Sequence, residues 1–401
     1  MSKTTKDDRV LIAGAGPVGL VAAACLGRHG IPTTVLEAEP NLTTDLRAST
    51  LHPPTIEILE ELGIADDAIA QGLIAPTWQY RDRQGGPVAT FDLGTLSDET
   101  THPYRLQCEQ FKITRLLLDR IAGMPSVEVV FESRALGVEQ SDDAVELKVA
   151  MPGGEQTLRG RYLIGADGGR SVVRKSLDIE FEGFTFPELF LVVSTPFRFE
   201  DVLPDLSYIN YISDPDEWFV LLRVKDFWRV LFPVDPETPA EEILSDESIQ
   251  RQLQAVYQTQ KPHEIVHRTL YQIHQRVAAR YRVGRVFIAG DAAHLNNPLG
   301  GMGMNGGIHD AMSLADKIVR VWNGAAEAEL DRYEAQRRPI AIDDVKTQTL
   351  RNRAALNETD PKVRRERLDD LRRIAEDPER ARAFLMRSSM IESVRRSEDL
   401  A

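Results

Sequence analysis

Two cysteines, Cys25 and Cys108, are all that 401 residues contain. That is too few for a disulfide framework and points to a reducing cytoplasm. Long apolar runs are missing: none reaches the roughly 18 residues a membrane helix needs, so no membrane span is expected. The polar start, Met1 to Arg9, leads directly into a strand, and no signal peptide is expected. Free-standing basic runs are missing too. Net charge is −14, with Lys and Arg interleaved among acids, which removes nucleic acid as an expected partner. Internal repeats and low-complexity linkers are also absent.

One apparent metal motif fails on geometry. His263-Glu264-Ile265-Val266-His267 spells HExxH, which binds zinc only on a helix, where residues four apart share a face. Here it opens an alternating stretch that reads as strand. Four strand residues span about 13 Å, too far for one zinc ion, so no metal is expected.

What is present is a 42% apolar chain long enough for two joined domains and a helical tail. Arg9 to Ala13 reads as a strand, Pro17 to Gly30 as a helix and Thr33 to Glu37 as a second strand, a βαβ start. Further helices are expected over Pro53 to Leu62, Gln110 to Ile121 and about Asn305 to Trp322. Strands are expected at Val127 to Phe131, Ala144 to Val149, Tyr162 to Gly165 and Val286 to Ala289. The segment from about Phe181 to His274 is rich in aromatic and β-branched residues, with turns at Asp214-Pro215-Asp216 and Lys225-Asp226. It reads as an inserted antiparallel sheet with one helix from roughly Pro239 to Tyr257. Gln84-Gly85-Gly86-Pro87 marks a hairpin. Beyond Asp331 the chain is helical with interleaved charge, such as Asp369 and Arg373, and reads as a solvated or subunit-facing structural segment. The expected fold is therefore α/β. A discontinuous nucleotide-binding domain (residues 1–75, 105–178 and 276–340) would carry an inserted sheet domain (76–104 and 179–275) and a helical segment (341–401).

Three glycine-bearing turns carry the chemistry. In Gly14-Ala15-Gly16-Pro17-Val18-Gly19, Gly14 allows the tight turn, Gly16 the approach of a pyrophosphate, and Gly19 close helix–sheet packing. The following helix N-terminus offers free N–H groups, and Pro17 loses nothing there. Glu37, with Ala38 beside it, ends the second strand about 20 residues on, where a carboxylate accepts ribose hydroxyls. The second turn is Gly165-Ala166-Asp167-Gly168-Gly169-Arg170. The third, Gly290-Asp291-Ala292-Ala293-His294, follows an apolar strand and aims Asp291 into the crevice, suited to a ribityl hydroxyl. Pro298-Leu299-Gly300-Gly301-Met302-Gly303-Met304-Asn305 then opens a helix whose N–H groups would face the flavin pyrimidine. In this order the three turns specify FAD.

These motifs resemble the class A flavoprotein aromatic hydroxylases, the para-hydroxybenzoate hydroxylase superfamily, from about Arg9 to Arg338. Within it the chain looks most like bacterial phenol and nitrophenol monooxygenases. The resemblance implies hydroxylation of a small phenolic ring with NADH or NADPH and O2, through a flavin hydroperoxide, in a cytoplasmic homodimer. It places Arg47 and Gln110 on FAD, and gives Asp167, Arg170 and Arg174 to FAD and the transient approach of NAD(P)H. Tyr211 would bond the substrate hydroxyl, Arg229 would contact the flavin, and Pro298 completes the expected catalytic set. The carboxylate-holding positions of the family carry Leu222 and Val224, which cannot satisfy a buried carboxylate, so an uncharged or differently anchored phenol is expected. His52 is a further pocket candidate. His102 and Tyr104 stand near it in sequence, and His294 reads as structural or flavin-proximal. Other readings are an FAD-dependent dehydrogenase or halogenase, or a non-catalytic flavin-binding sensor. No second glycine-rich nucleotide fingerprint supports a two-site dehydrogenase, and no halogenase Trp-x-Trp is evident.

Overall fold

Val10–Ala13, buried along its whole length, pairs in parallel with Thr33–Leu36 on one side and Tyr162–Gly165 on the other. Parallel neighbours need a crossover, which the helix Pro17–Arg28 supplies. Its run of alanines lets it lie close to both the sheet and the helix Met302–Trp322, and nine of its twelve residues are buried. The completed six-stranded sheet runs Arg282–Val283, Val286–Ile288, Tyr162–Gly165, Val10–Ala13, Thr33–Leu36, Val127–Val130. The computed structural model describes residues 8–214, 218–345 and 360–400. Pro215 and Asp216 of one expected turn lie outside the described residues, as do residues 1–7.

An eight-stranded sheet stands beside this nucleotide-type sheet. It is antiparallel except where Ile209–Ser213 meets Thr77–Asp82. Strand alternation divides its side chains between two faces. Ile212, Phe219, Leu221, Val230 and Phe232 pack with Ile249 and Leu253 of the covering helix. Val192, Ile209, Tyr211, Val220 and Leu231 face the other way, toward the first sheet. The α/β class, the inserted antiparallel sheet and the helical C-terminal segment are as expected.

Several boundaries differ. The helix expected over 239–257 is two, Ala240–Ile243 and Asp246–Val256, because Ser245 caps the second by accepting the Ser248 N–H at 3.2 Å. The later helix starts at Met302 rather than Asn305, since Gly301 takes a left-handed conformation (φ 70°) that turns the chain into it. The HExxH run is irregular up to His267, where the strand begins. His263 bonds the Tyr257 carbonyl at 2.9 Å. In the C-terminal segment Asp369 pairs with Arg372 at 2.7 Å and Arg373 reaches Asp370. That segment is also no merely solvated face. Leu385 and Ile391 are buried against the eight-stranded sheet, and Phe384 stacks on Phe91 at 4.6 Å. No described helix is long and apolar enough to cross a membrane.

Candidate active site

A cavity of about 1090 Å³ runs from the turn after the first strand to the inward face of the eight-stranded sheet. At its first end Gly14 has φ 103°, and an added Cβ would stand 2.3 Å from the Ala166 carbonyl oxygen, so only glycine fits. Gly19 packs as closely against Gly14. Gly16 differs: a Cβ there would meet nothing within 4 Å, because it faces open cavity. It caps the helix Pro17–Arg28 with no side-chain bond, leaving the first N–H groups for a ligand. Glu37 accepts the Ala15 N–H at 2.8 Å and the Glu39 N–H at 3.0 Å, which fixes its carboxylate at the rim beside Ala38.

Midway, Gly290 (φ 61°) turns the chain so that Asp291 stands exposed within the cavity. Enclosure by the surrounding protein raises its pKa, while His294 and Arg47 pull it down. Val18 wedges between Gly290 and Gly307, each of whose added Cβ would sit 2.7 Å from its methyl. Glu37 and Asp291, distant in sequence, thus line one space. So do Pro298, Gly301, Gly303 and Met304, the start of a second helix with no side-chain cap. Asp167 accepts Val172 and Val173 N–H groups through one oxygen, and its other carboxylate oxygen is buried without a hydrogen-bond partner among the described residues.

Arg47 and Gln110 also line the cavity, Arg47 largely exposed. Beneath them the buried Arg229 donates to the carbonyls of Leu46 and Arg47 and to Ser49 Oγ. It therefore shapes the loop that carries Arg47 while presenting one edge to the cavity.

At the sheet end Ile209, Val220, Leu222, Leu231 and Leu299 form an apolar wall. Tyr211 closes it, its hydroxyl oxygen accepting the Gly300 N–H at 3.1 Å. Burial raises its pKa, so it stays a neutral O–H donor.

Several expected residues lie elsewhere. Val224 is buried in the hairpin turn, bonded to the Phe227 carbonyl, and does not line the cavity. His52 lies behind the glycine loop with Nε2 on the Gly300 carbonyl at 2.8 Å, outside the cavity lining. Burial, then the Arg105 charge, depresses its pKa far below the usual value, which leaves it a neutral spacer. Asn305 does not reach the cavity either. It ties the helix start to Thr50 (2.8 Å) and receives the His52 N–H (2.9 Å). Arg174 turns away to the carbonyls of Ala292 and Gly169, whereas Arg170 lines the cavity. His102 and Tyr104 bond each other at 2.9 Å away from the site.

Two residues were missed. Arg105 lines the sheet end. Asp310, fully buried, accepts from His294 (2.8 Å), Gly290 N–H (3.1 Å) and Arg337 (2.7 Å), and so anchors the Asp291 turn from behind. A lone acid among Ile308, Ala311, Leu314 and Ile318 on a helical face was the available signal for Asp310. No spacing marked Arg105.

Two uncapped helix starts, two carboxylates and one orphaned carboxylate oxygen on a single elongated space fit a dinucleotide of FAD's length. The comparisons agree. Residues 7–348 match the FAD binding domain family. The chain is 34% identical over 367 residues to a para-nitrophenol 4-monooxygenase of Pseudomonas sp. strain WBC-3, covering 89% of each chain. It is 33% identical to a 6-hydroxy-3-succinoylpyridine 3-monooxygenase of Pseudomonas putida S16, over 94% of this chain and 96% of the other. The crystal structure of p-nitrophenol 4-monooxygenase from Pseudomonas putida DLL-E4 superposes with a TM-score of 0.91 at 30% identity, covering 96% and 98% of the two chains. The chain belongs to the FAD binding domain family and is a flavin-dependent aromatic monooxygenase.

Proposed function

We propose that this chain hydroxylates a small phenol with NADH or NADPH and O2, as a cytoplasmic homodimer. The observation that carries the reading is the continuity of one cavity, from the glycine turn to an apolar pocket that ends on the Tyr211 hydroxyl. Relatives acting on nitrophenol and on a hydroxylated pyridine support it. FAD, when bound, would relay two electrons from NAD(P)H to O2 and so activate it. The turn Gly14 to Gly19 and the helix it opens would hold the pyrophosphate, Glu37 the adenosine ribose and Asp291 the ribityl chain. Asp167 and Arg170, which line the same cavity, are assigned to the approach of the nicotinamide.

The chain's own contribution at the ring is positioning and exclusion of water. Ile209, Val220, Leu222 and Leu231 give the ring a dry wall. Tyr211 keeps its oxygen on the Gly300 N–H and turns its proton to the substrate oxygen. Leu222 offers no partner for a ring carboxylate at its position.

The test is to screen phenols against the FAD-loaded protein for accelerated NAD(P)H oxidation, with products identified by mass. A phenol that accelerates it and gains one oxygen atom is the expected result. If none does while FAD stays bound, the chain is a flavin-binding sensor. Tyr211→Phe is expected to lower kcat about tenfold or more with KM changed less than about threefold. Steady-state kinetics check this, and an unchanged kcat removes Tyr211 from the reaction.

A further inference from the structure

We propose that Arg105 is the anion-holding group of the substrate pocket, taking an anionic oxygen borne by the aromatic ring. The proposal rests on the phenol-hydroxylase reading and deepens it. Arg105 starts the short strand Arg105–Gln107, is 3% exposed, and lines the sheet end of the cavity. Its guanidinium lies 4.8 Å from the Trp78 ring centroid, donates to the Ser388 carbonyl at 3.1 Å and reaches the Tyr211 hydroxyl. Its Nε is buried and has no hydrogen-bond partner among the described residues.

What it lacks is an opposite charge. Among the described residues no carboxylate pairs with it, and the ionisable groups acting on it are tyrosines, Tyr211 and Tyr80. Burial raises the pKa of both, and His52 beside them is kept neutral. An arginine stays protonated in proteins, and a buried unpaired cation is costly. Apolar walls at Ile209, Val220 and Leu222 strengthen whatever charge pairs with it. The ring that enters this pocket therefore supplies the missing anion.

Arg105 and the Tyr211 hydroxyl thus offer converging donors to one oxygen. A phenol bound there gives up its proton to solvent, and the ring becomes electron-rich as hydroxylation requires. The cation that Leu222 and Val224 do not provide comes from a different strand.

Equilibrium dialysis of the FAD-loaded protein without NAD(P)H tests this apart from turnover. The probes are 4-nitrophenolate, benzoate and neutral nitrobenzene, with the wild type, Arg105→Lys and Arg105→Gln. Arg105→Gln is expected to weaken the bound anion about tenfold or more while nitrobenzene changes less than about threefold, and Arg105→Lys should retain most of the affinity. Loss confined to nitrophenolate identifies the phenolate as the ligand, and equal loss for benzoate identifies a carboxylate. Equal weakening of charged and neutral probes would assign Arg105 to structure alone and overturn the proposal, as would no saturable anion binding to the wild type. A variant-free readout guards against misfolding. Nitrophenol bound to wild type should keep its phenolate absorption to a pH lower by about one unit or more than free nitrophenol, and titration at or above the free value overturns the proposal. A chain that binds the anion but never hydroxylates it would contradict the phenol-hydroxylase reading and leave Arg105's role intact.

Discussion

Asp310→Ala is expected to lower stability by about 3–5 kcal/mol, the usual consequence of stranding a buried cation. Arg337 is 4% exposed and its Nε points at Asp310, so truncation leaves a guanidinium in the core with, among the described residues, only the Gly306 carbonyl as a hydrogen-bond partner. The loss reaches the cofactor site, because Asp310 also holds the Gly290 N–H immediately before Asp291. FAD affinity should fall with stability. The pH dependence follows from the same geometry. Burial alone would raise the Asp310 pKa, but His294 and Arg337 outweigh it and hold it at about 2. A carboxyl depressed on folding contributes stability above its unfolded pKa of about 4 and loses it as pH falls toward 2. That contribution is about 2 kcal/mol. In urea unfolding, the stability gap between wild type and Asp310→Asn should therefore be full at pH 7 and shrink below pH 4. A gap independent of pH would show that Asp310 acts without its charge.

The second large effect separates binding from folding at two neighbouring glycines. Gly16→Val should leave the unfolding of the FAD-free protein nearly unchanged, since its backbone (φ −71°, ψ −179°) suits any residue and its Cβ meets nothing within 4 Å. The same side chain stands in the space the pyrophosphate needs. Overpacking of that kind costs about 1–3 kcal/mol, so FAD should bind about ten- to a hundredfold more weakly. Gly14→Val should behave oppositely. With φ 103° and a Cβ 2.3 Å from the Ala166 oxygen, it should destabilise the protein before any ligand is added. Thermal unfolding of both FAD-free variants, with FAD titrations followed by fluorescence, checks the contrast. If Gly16→Val bound FAD as wild type does, the helix start beside it would not be the pyrophosphate site.

The difference between these glycines explains how much could be read in advance. A glycine turn announces itself because backbone conformation is encoded locally, and Gly14, Gly16, Glu37 and Asp291 all line one cavity. The apolar alternation of the inserted sheet was legible for the same reason: a period of two survives any topology. Side-chain direction across a tertiary contact was not. His52 and Asn305 adjoin the right loops but turn their polar atoms to Gly300 and Thr50, behind the cavity. Val224 sits two residues past Leu222 yet falls in the turn, where alternation no longer holds. Arg105 is not legible in the sequence because what sets it apart is the lack of an opposite charge among the described residues, and only packing reveals that. The split at Ser245 is not legible in the sequence, because its capping bond competes with helix continuation over a single residue.

Titration of the FAD-free protein with FAD, read by quenching of flavin fluorescence, addresses the central claim most directly. The shared cavity of Glu37 and Asp291 predicts saturation at one FAD per chain, a yellow protein, and much weaker binding when both acids are replaced by alanine. A colourless chain that takes up no flavin, or one whose affinity ignores the loss of both acids, would contradict it.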